Sequence, residues 1–254
     1  MRRLLQESTS CMYERSYAKQ TPLHLAVGWP RGIEILFEES VEVALSLLHL
    51  IDWRNLTLLD YALCLLQTES AKLLLDRHAL ISTEYFKYWS LPLTHKPHLE
   101  FNNKVDRMYS LMASAMAERR QLVLESAMKM LPESMGTGTD LPEGPLMDEE
   151  VLWIEARLRH HGISIPRKLR YHELRPGAVY HWPYMTTSLA QKLFEAGFRT
   201  MSTPRHGHYP LMGAYYVEVS GSRSLEDMFS LITWFELHGA SLNAPLPMCP
   251  HTSG

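Results

Sequence analysis

Two six-residue segments of this chain match each other in pattern, and this match limits the fold more than any other feature. Segment 21–26 reads TPLHLA, and segment 57–62, placed 36 residues later, reads TLLDYA. Each begins with a threonine that can cap a helix, continues with apolar residues, and ends with a small alanine that lets a second helix approach. A recurrence of this length predicts stacked repeat units that share one extended core.

The second copy is the clearer one. Residues 57–79 predict a helix, a short turn, a second helix and a stop. Just upstream, residues 52–55 read DWRN and predict a turn, with Asn55 in the left-handed conformation. Cys64 lies in the first helix of this unit, where packing among leucines raises the pKa of a thiol.

A third copy is predicted near the C-terminus, split between residues 189–214 and 231–246. Gly197 and Gly239 stand where glycine typically ends a helix. The spacing exceeds that of the second copy, so a loop is predicted over 218–228.

These features resemble the ankyrin-repeat family, whose signature is T-P-L-H-x-A at a period of about 33 residues. The segment 21–26 matches that signature at every fixed position, and residues 193–198 and 235–244 resemble the end of the family's second helix. His78 stands where the family usually has a helix-ending glycine. The resemblance covers about half of the chain and is closest to divergent, fungal-type ankyrin proteins.

The residues between the repeat-like blocks do not follow the pattern. Residues 104–131 contain neither glycine nor proline and predict one long helix. Its apolar stripe comprises Val105, Met108, Met112, Ala115, Met116, Leu122, Val123, Ala127 and Met130. Residues 132–147 predict a surface connection, followed by a helix from Asp148 to Gly162.

The predicted fold class is all-α: ankyrin-like helix-turn-helix repeats forming a solenoid, interrupted by a helical insertion with a long helix. The predicted organisation is an N-terminal extension, two ankyrin-like repeats, the helical insertion, and degenerate repeats with a C-terminal tail. Their ranges are 1–20, 21–83, 84–182 and 183–254.

Composition narrows the classes of function. Lys and Arg total 25 against 28 acidic residues, and the net charge of −3 argues against nucleic acid as a partner. The basic run at 167–170 is interpreted as a solvated loop. No apolar run is long enough for a membrane helix, and the three cysteines are widely separated, so an intracellular protein, cytoplasmic or nuclear, is expected.

The sequence contains no recognisable catalytic motif. The thirteen histidines lack the spacing of a hydrolytic zinc site, and no phosphate-binding glycine loop is present. We therefore expect no enzymatic activity, no metal and no cofactor. The predicted function is binding of another protein; a scaffold segment that positions or masks an effector domain is the alternative, and an enzyme site within 84–182 is the third possibility.

The repeat register selects residues for partner binding, because turn tips and first-helix faces are not needed for stacking. Trp, Tyr and Arg dominate the binding energy of many interfaces. The predicted partner-binding residues are Trp29, Trp53, Arg54, Arg205, His206, His208 and Tyr216. For Trp29 and Tyr216, packing against the insertions is an equally open interpretation.

Overall fold

The computed structural model describes residues 9–79, 81, 99–130, 148–165, 178–181, 185–201 and 224–240. These residues form helices and connecting turns, and none of them forms a β-strand, which confirms the predicted all-α class. The helices are α1 (Pro22–Ala26), α2 (Pro30–Glu39), α3 (Val41–Leu47), α4 (Leu58–Cys64), α5 (Thr68–Asp76), α6 (Leu99–Met130), α7 (Asp148–His160), α8 (Thr187–Glu195) and α9 (Leu225–Leu237). Short 3₁₀ turns lie at Thr9–Tyr13 and Ala178–His181.

The second unit, formed by α4 and α5, agrees closely with the sequence prediction. Asn55 has a φ of 63°, as expected for its turn. His78 has a φ of 59° after the end of α5, so a non-glycine residue holds the left-handed position there. A left-handed backbone costs more for a residue with a Cβ than for glycine, so this helix end is less favourable.

The first unit, formed by α1 and α2, is succeeded by a helix that the sequence pattern did not predict. In the sequence, residues 44–50 (ALSLLHL) exceed what the repeat pattern requires and are not predicted as a helix, whereas the structure contains a further helix, α3, that begins directly after Ser40. Its Ala44 and Leu47 are buried. This short helix packs against α2, so the surplus contributes to the core.

The two units lie side by side in the same orientation. Helix α1 contacts α4, and α2 contacts α5. The Ser70 hydroxyl in α5 donates a hydrogen bond of 2.6 Å to the carbonyl of Val27, just after α1, and Ser70 is fully buried. A buried hydroxyl needs such a partner, so this bond fixes how the units sit on each other.

The predicted long helix is confirmed as α6, and it begins earlier than expected, at Leu99. Most of the predicted apolar stripe is buried, including Met108, Met112 and Met116. Met130 is half exposed, because it lies at the end of the helix beyond its packing partners. Helix α6 contacts α5 on one side and α8 on another.

One hydrophobic core joins the N-terminal units to the C-terminal helices. A single cluster of buried residues runs from α1–α5 through the first half of α6 to α8 and α9. The second half of α6 forms a separate small cluster with α7, built on Val123, Ala127 and Ile154. Helix α6 is therefore the element through which the two ends of the chain share a core.

Two consecutive buried arginines lie at the middle of α6. The Arg119 guanidinium donates to the carbonyl of Ala79 at 2.6 Å, just after α5. Arg120 donates to the carbonyl of Gly197 at 3.0 Å, just after α8, and forms an ion pair with buried Asp148. The two side chains therefore bind the helix ends on both sides of α6.

Asp148 connects three parts of the chain. Besides pairing with Arg120, its carboxylate accepts the backbone amides of Arg199 and Thr200 at 2.9 and 2.8 Å. Asp148 is also the first residue of α7. A carboxylate with these donors is well satisfied, which is the condition under which a buried charge is tolerated.

The C-terminal prediction is partly wrong. The loop predicted over 218–228 is too long, because α9 already begins at Leu225. The Ser224 hydroxyl accepts the Asp227 amide at 3.1 Å, a helix cap that the sequence pattern did not reveal. Gly197 and Gly239 do end their helices, with φ of 92° at both. The predicted connection at 132–147 lies outside the described residues.

In the described part of the chain, no helix combines the length and the apolar character needed to cross a membrane.

The buried ion pair gives a stability prediction. We expect Arg120→Ala to lower the free energy of unfolding by about 3–5 kcal/mol, because Asp148 remains buried without its counter-charge. The matched control is Arg31→Ala, which removes an exposed arginine paired with Glu34 and Glu38 and costs much less, since water screens such pairs. Urea denaturation followed by circular dichroism measures both; equal losses would contradict the assigned role of Arg120.

Candidate partner-binding surface

Two turns with the same backbone geometry precede the two units, at residues 16–20 and 52–56. In each turn the amide of the first residue donates to the carbonyl of the fifth, at 2.9 and 3.0 Å, and the amide of the fourth donates to the carbonyl of the first. The fourth residues, Lys19 and Asn55, both have positive φ, 57° and 63°. The turns are 36 residues apart, the same spacing as the two helical segments.

Backbone and side-chain bonds hold the two turns next to each other. The Trp53 amide donates to the carbonyl of Ala18 at 3.1 Å. The Tyr61 hydroxyl, in α4, donates to Asp52 at 2.7 Å and accepts a bond of 2.6 Å from the side chain of Gln20. Each turn is therefore bonded to a residue of the other unit or its flank.

Asp52 organises the second turn. One carboxylate oxygen accepts the amides of Arg54 and Leu56 at 2.7 and 2.8 Å, and the other accepts the hydroxyl of Tyr61. Burial is the largest cause of a raised pKa at Tyr61, and the hydrogen bond to Asp52 adds to it. The carboxylate is buried and points inward, so it sets the turn geometry without occupying the outer surface.

Both first helices begin with a reciprocal cap between threonine and the third residue of the helix. In α4, Asp60 accepts the amide of Thr57 at 2.7 Å, and its own amide donates to the Thr57 hydroxyl. In α1, the amide of Thr21 donates to Nδ1 of His24 at 3.2 Å. The two residue types perform one role, since each offers an acceptor to the threonine amide.

His24 is buried in an environment that favours its uncharged form. Burial lowers the pKa of its imidazole and is the largest cause, and the charge of Arg15 acts in the same direction. A backbone hydrogen bond with Leu56 and the charge of Asp52 partly oppose this lowering. Since Nδ1 accepts the Thr21 amide, protonation of that nitrogen would also remove the helix cap.

The same positions carry large apolar side chains in both units. The equivalent pairs, each 36 residues apart, are Tyr17 with Trp53, Leu25 with Tyr61, and Trp29 with Leu65. All are exposed except Tyr61, which is partly buried. We call these six residues the 17–65 surface. It extends from the turns to the ends of α1 and α4, and the edge-on contact of His24 with Tyr61 at 5.6 Å keeps the helices adjacent.

Three of the sequence-predicted residues lie on or beside this surface. Trp53 is 58% exposed, and the Arg54 guanidinium lies 4.8 Å from its ring centre. Trp29 is 47% exposed and lies against Gly32 in its own unit, where an added Cβ would come within 2.3 Å of the indole ring. Trp29 and Trp53 flank opposite ends of the first helices, so they do not touch.

The other four predicted residues cannot be placed on this surface. Arg205, His206, His208 and Tyr216 lie outside the described residues, as does the basic run at 167–170.

Sequence reasoning missed Tyr17, Leu25, Tyr61 and Leu65. The signal was present, because moving Trp53 back by 36 residues gives Tyr17, moving Trp29 forward gives Leu65, and Leu25 and Tyr61 are the fifth residues of the two matching segments 21–26 and 57–62. The first turn gave no signal of its own, since its sequence, SYAKQ, shares no residue with DWRNL. It lies within the segment predicted as an N-terminal extension.

A second exposed apolar surface lies on α9. Phe229 and Leu237 project from this helix beside Thr187 at the start of α8, forming an open groove. None of the predicted partner-binding residues that the structure describes, Trp29, Trp53 and Arg54, lines this groove.

The raised pKa that the sequence predicts for the Cys64 thiol is confirmed. Burial, with the charge of Asp60 as a smaller cause, raises the pKa of the Cys64 thiol to about 12, so the thiol is protonated at neutral pH. Across the described ranges, no group of three or more His, Cys, Asp or Glu side chains is arranged to hold a metal ion.

Comparisons with known proteins return no match: no family model, no curated protein and no solved structure matches the chain.

The lowered pKa of His24 predicts how stability depends on pH. In the unfolded chain the His24 imidazole has its ordinary pKa of 6.5. Below that pH the unfolded chain binds more protons than the folded chain, so the stability that neutral His24 contributes is lost as the pH falls. Each unit by which the pKa differs between the folded and the unfolded chain changes the free energy of unfolding by up to about 1.4 kcal/mol. We expect His24→Gln, which keeps an acceptor for Thr21, to lose less stability on acidification than the wild type.

Urea denaturation at a series of pH values measures this difference. The matched control is His160→Gln, which removes an exposed imidazole at the end of α7 and leaves the buried imidazole of His24 in place. If the free energies of unfolding of the wild type and His24→Gln fall in parallel on acidification, the neutral state of His24 does not contribute to stability.

Proposed function

We propose that this chain is a non-catalytic, ankyrin-type interaction module that binds another protein through its turn tips and the exposed faces of its first helices. The single observation that carries the proposal is the 17–65 surface, on which large apolar side chains are exposed at equivalent positions of two adjacent units. Exposed apolar groups that recur in register along one side of a molecule are typical of a binding surface.

Several contacts support the ankyrin-type arrangement within this proposal. The two units share the 36-residue offset, the turn geometry, the reciprocal cap and the parallel pairing of first and second helices. The bond from Ser70 to Val27 and the bond from Trp53 to Ala18 tie the units together at both ends of the first helices. Stacked units of this kind leave one side free for recognition.

The residue types on the surface favour protein binding. Trp and Arg contribute large contact areas and directional hydrogen bonds, and they are enriched among residues that dominate interface energies. The turns are already held by internal bonds to Asp52 and Tyr61, so little conformational freedom is lost when a partner docks.

A double variant tests the proposal. We expect Trp53→Ala/Arg54→Ala to lose partners that the wild type recovers in an affinity capture, because it removes a stacked Trp–Arg pair from the turn tip. The matched control is Trp153→Ala/Arg157→Ala, since these residues form a similar Trp–Arg pair on α7, in which Trp153 is exposed and the guanidinium lies 4.9 Å from the ring centre.

Quantitative mass spectrometry of the captured proteins provides the measurement. Selective loss from the Trp53/Arg54 variant, with the Trp153/Arg157 variant behaving as wild type, is the expected result. Equal recovery of every protein by all three forms would count against the turn tips as the binding surface.

A further inference from the structure

Three cationic residues lie next to the aromatic residues in the chain at the turn end of the 17–65 surface. Arg15 and Lys19 stand two residues either side of Tyr17. Arg54 follows Trp53, and its guanidinium lies 4.8 Å from the Trp53 ring centre. All three cationic residues are exposed. None of them forms an ion pair with a carboxylate among the described residues.

Within the two turn segments, carboxylates neutralise this group only in part. Asp52 is buried and its oxygens are engaged by two backbone amides and a hydroxyl. Across residues 13–20 and 51–57, Glu14 is the only exposed acidic side chain, against three exposed cations. The chain as a whole carries a net charge of −3, so this local excess of positive charge runs against its average.

We propose that the turn end of the 17–65 surface binds an acidic segment of a partner protein, in which carboxylates alternate with apolar side chains. The proposal rests on the interaction function proposed above and names the chemistry of the partner. The carboxylates pair with Arg15 and Arg54, whose guanidinium groups bind carboxylates in a two-pronged geometry. The apolar side chains of the segment pack on Tyr17 and Trp53.

The surface favours a peptide over a nucleic acid. Single-stranded nucleic acids bind where aromatic rings alternate with a long basic groove. Here the cations lie only at the turn end, and the remaining positions of the surface, Leu25, Trp29, Tyr61 and Leu65, carry no charge and are only half aromatic. The affinity of a polyphosphate chain also depends on many cationic contacts, and this surface offers only three exposed cations.

A peptide selection on the full chain tests this inference. Random peptides displayed on phage are selected against the wild type, and the enriched sequences are scored for Asp and Glu. The most enriched peptide is then synthesised with a fluorescent label, and its Kd is measured by anisotropy at low and high sodium chloride. We expect acidic peptides with apolar residues between the acids, and binding that weakens several-fold at high salt.

Charge reversal locates the binding site. We expect Arg15→Glu/Arg54→Glu to weaken binding of the acidic peptide by about tenfold or more, because two attractive contacts become repulsive. Lys72→Glu/Lys129→Glu makes the same change in net charge at exposed positions on α5 and α6, away from the surface, and should leave the Kd within about twofold. Circular dichroism checks that both variants are folded.

The outcomes separate this inference from the function on which it rests. Enriched peptides without an excess of acid, lost from Trp53→Ala/Arg54→Ala, overturn the acidic partner but leave the interaction function standing. Peptides that bind all variants equally, or no enrichment at all, count against both. Oligothymidylate that binds the wild type as tightly as the peptide, and is lost with Arg15→Glu/Arg54→Glu, assigns the surface to nucleic acid and overturns the inference.

Discussion

The docking of the two ends of this chain on one helix depends on buried guanidinium groups that must find partners. Arg119 and Arg120 are consecutive, and both are almost completely removed from solvent in the middle of α6. Each finds a carbonyl at the end of a helix, one on either side of α6, and Asp148 supplies the counter-charge. An unpaired buried cation is energetically costly. These bonds therefore favour the arrangement in which the N-terminal units and the C-terminal helices both pack against α6. The aliphatic and methionine side chains of the first half of α6 then complete a common core.

The 17–65 surface depends on a smaller set of buried polar groups. Asp52, His24 and Asp60 each accept backbone amides that would otherwise lack partners, and in doing so they fix the turns and the first turns of α1 and α4. The side chains of Tyr17, Trp53 and Arg54 take no part in these bonds. Tyr17, Trp53 and their neighbours are therefore held on a rigid backbone while remaining exposed, which is the combination that a preformed recognition surface requires.

The contrast between the two charged regions is informative. In α6, Arg119 and Arg120 are buried and bonded to fixed carbonyl acceptors, and Arg120 is also paired with Asp148, so they stabilise the fold. At the turns, Arg15 and Arg54 are exposed, and the buried carboxylate of Asp52 is engaged by the backbone amides of Arg54 and Leu56. The first group explains how the helices assemble, and the second gives the proposed partner its chemistry.

The sequence by itself determined the all-α class, the second unit with its left-handed Asn55, the long helix α6 and the protonated state of Cys64. These depend on local spacing, capping and burial among leucines, which act over one or two helical turns. Only the tertiary structure placed Arg119 and Arg120, whose carbonyl partners lie 40 and 77 residues away and carry no side-chain signal. It also decided the turn at 16–20, where Lys19 takes a left-handed conformation that its residue type does not favour and that the bond between Ala18 and Trp53 helps to hold. Contacts between segments distant in the chain decide such features, and residue type alone does not specify them.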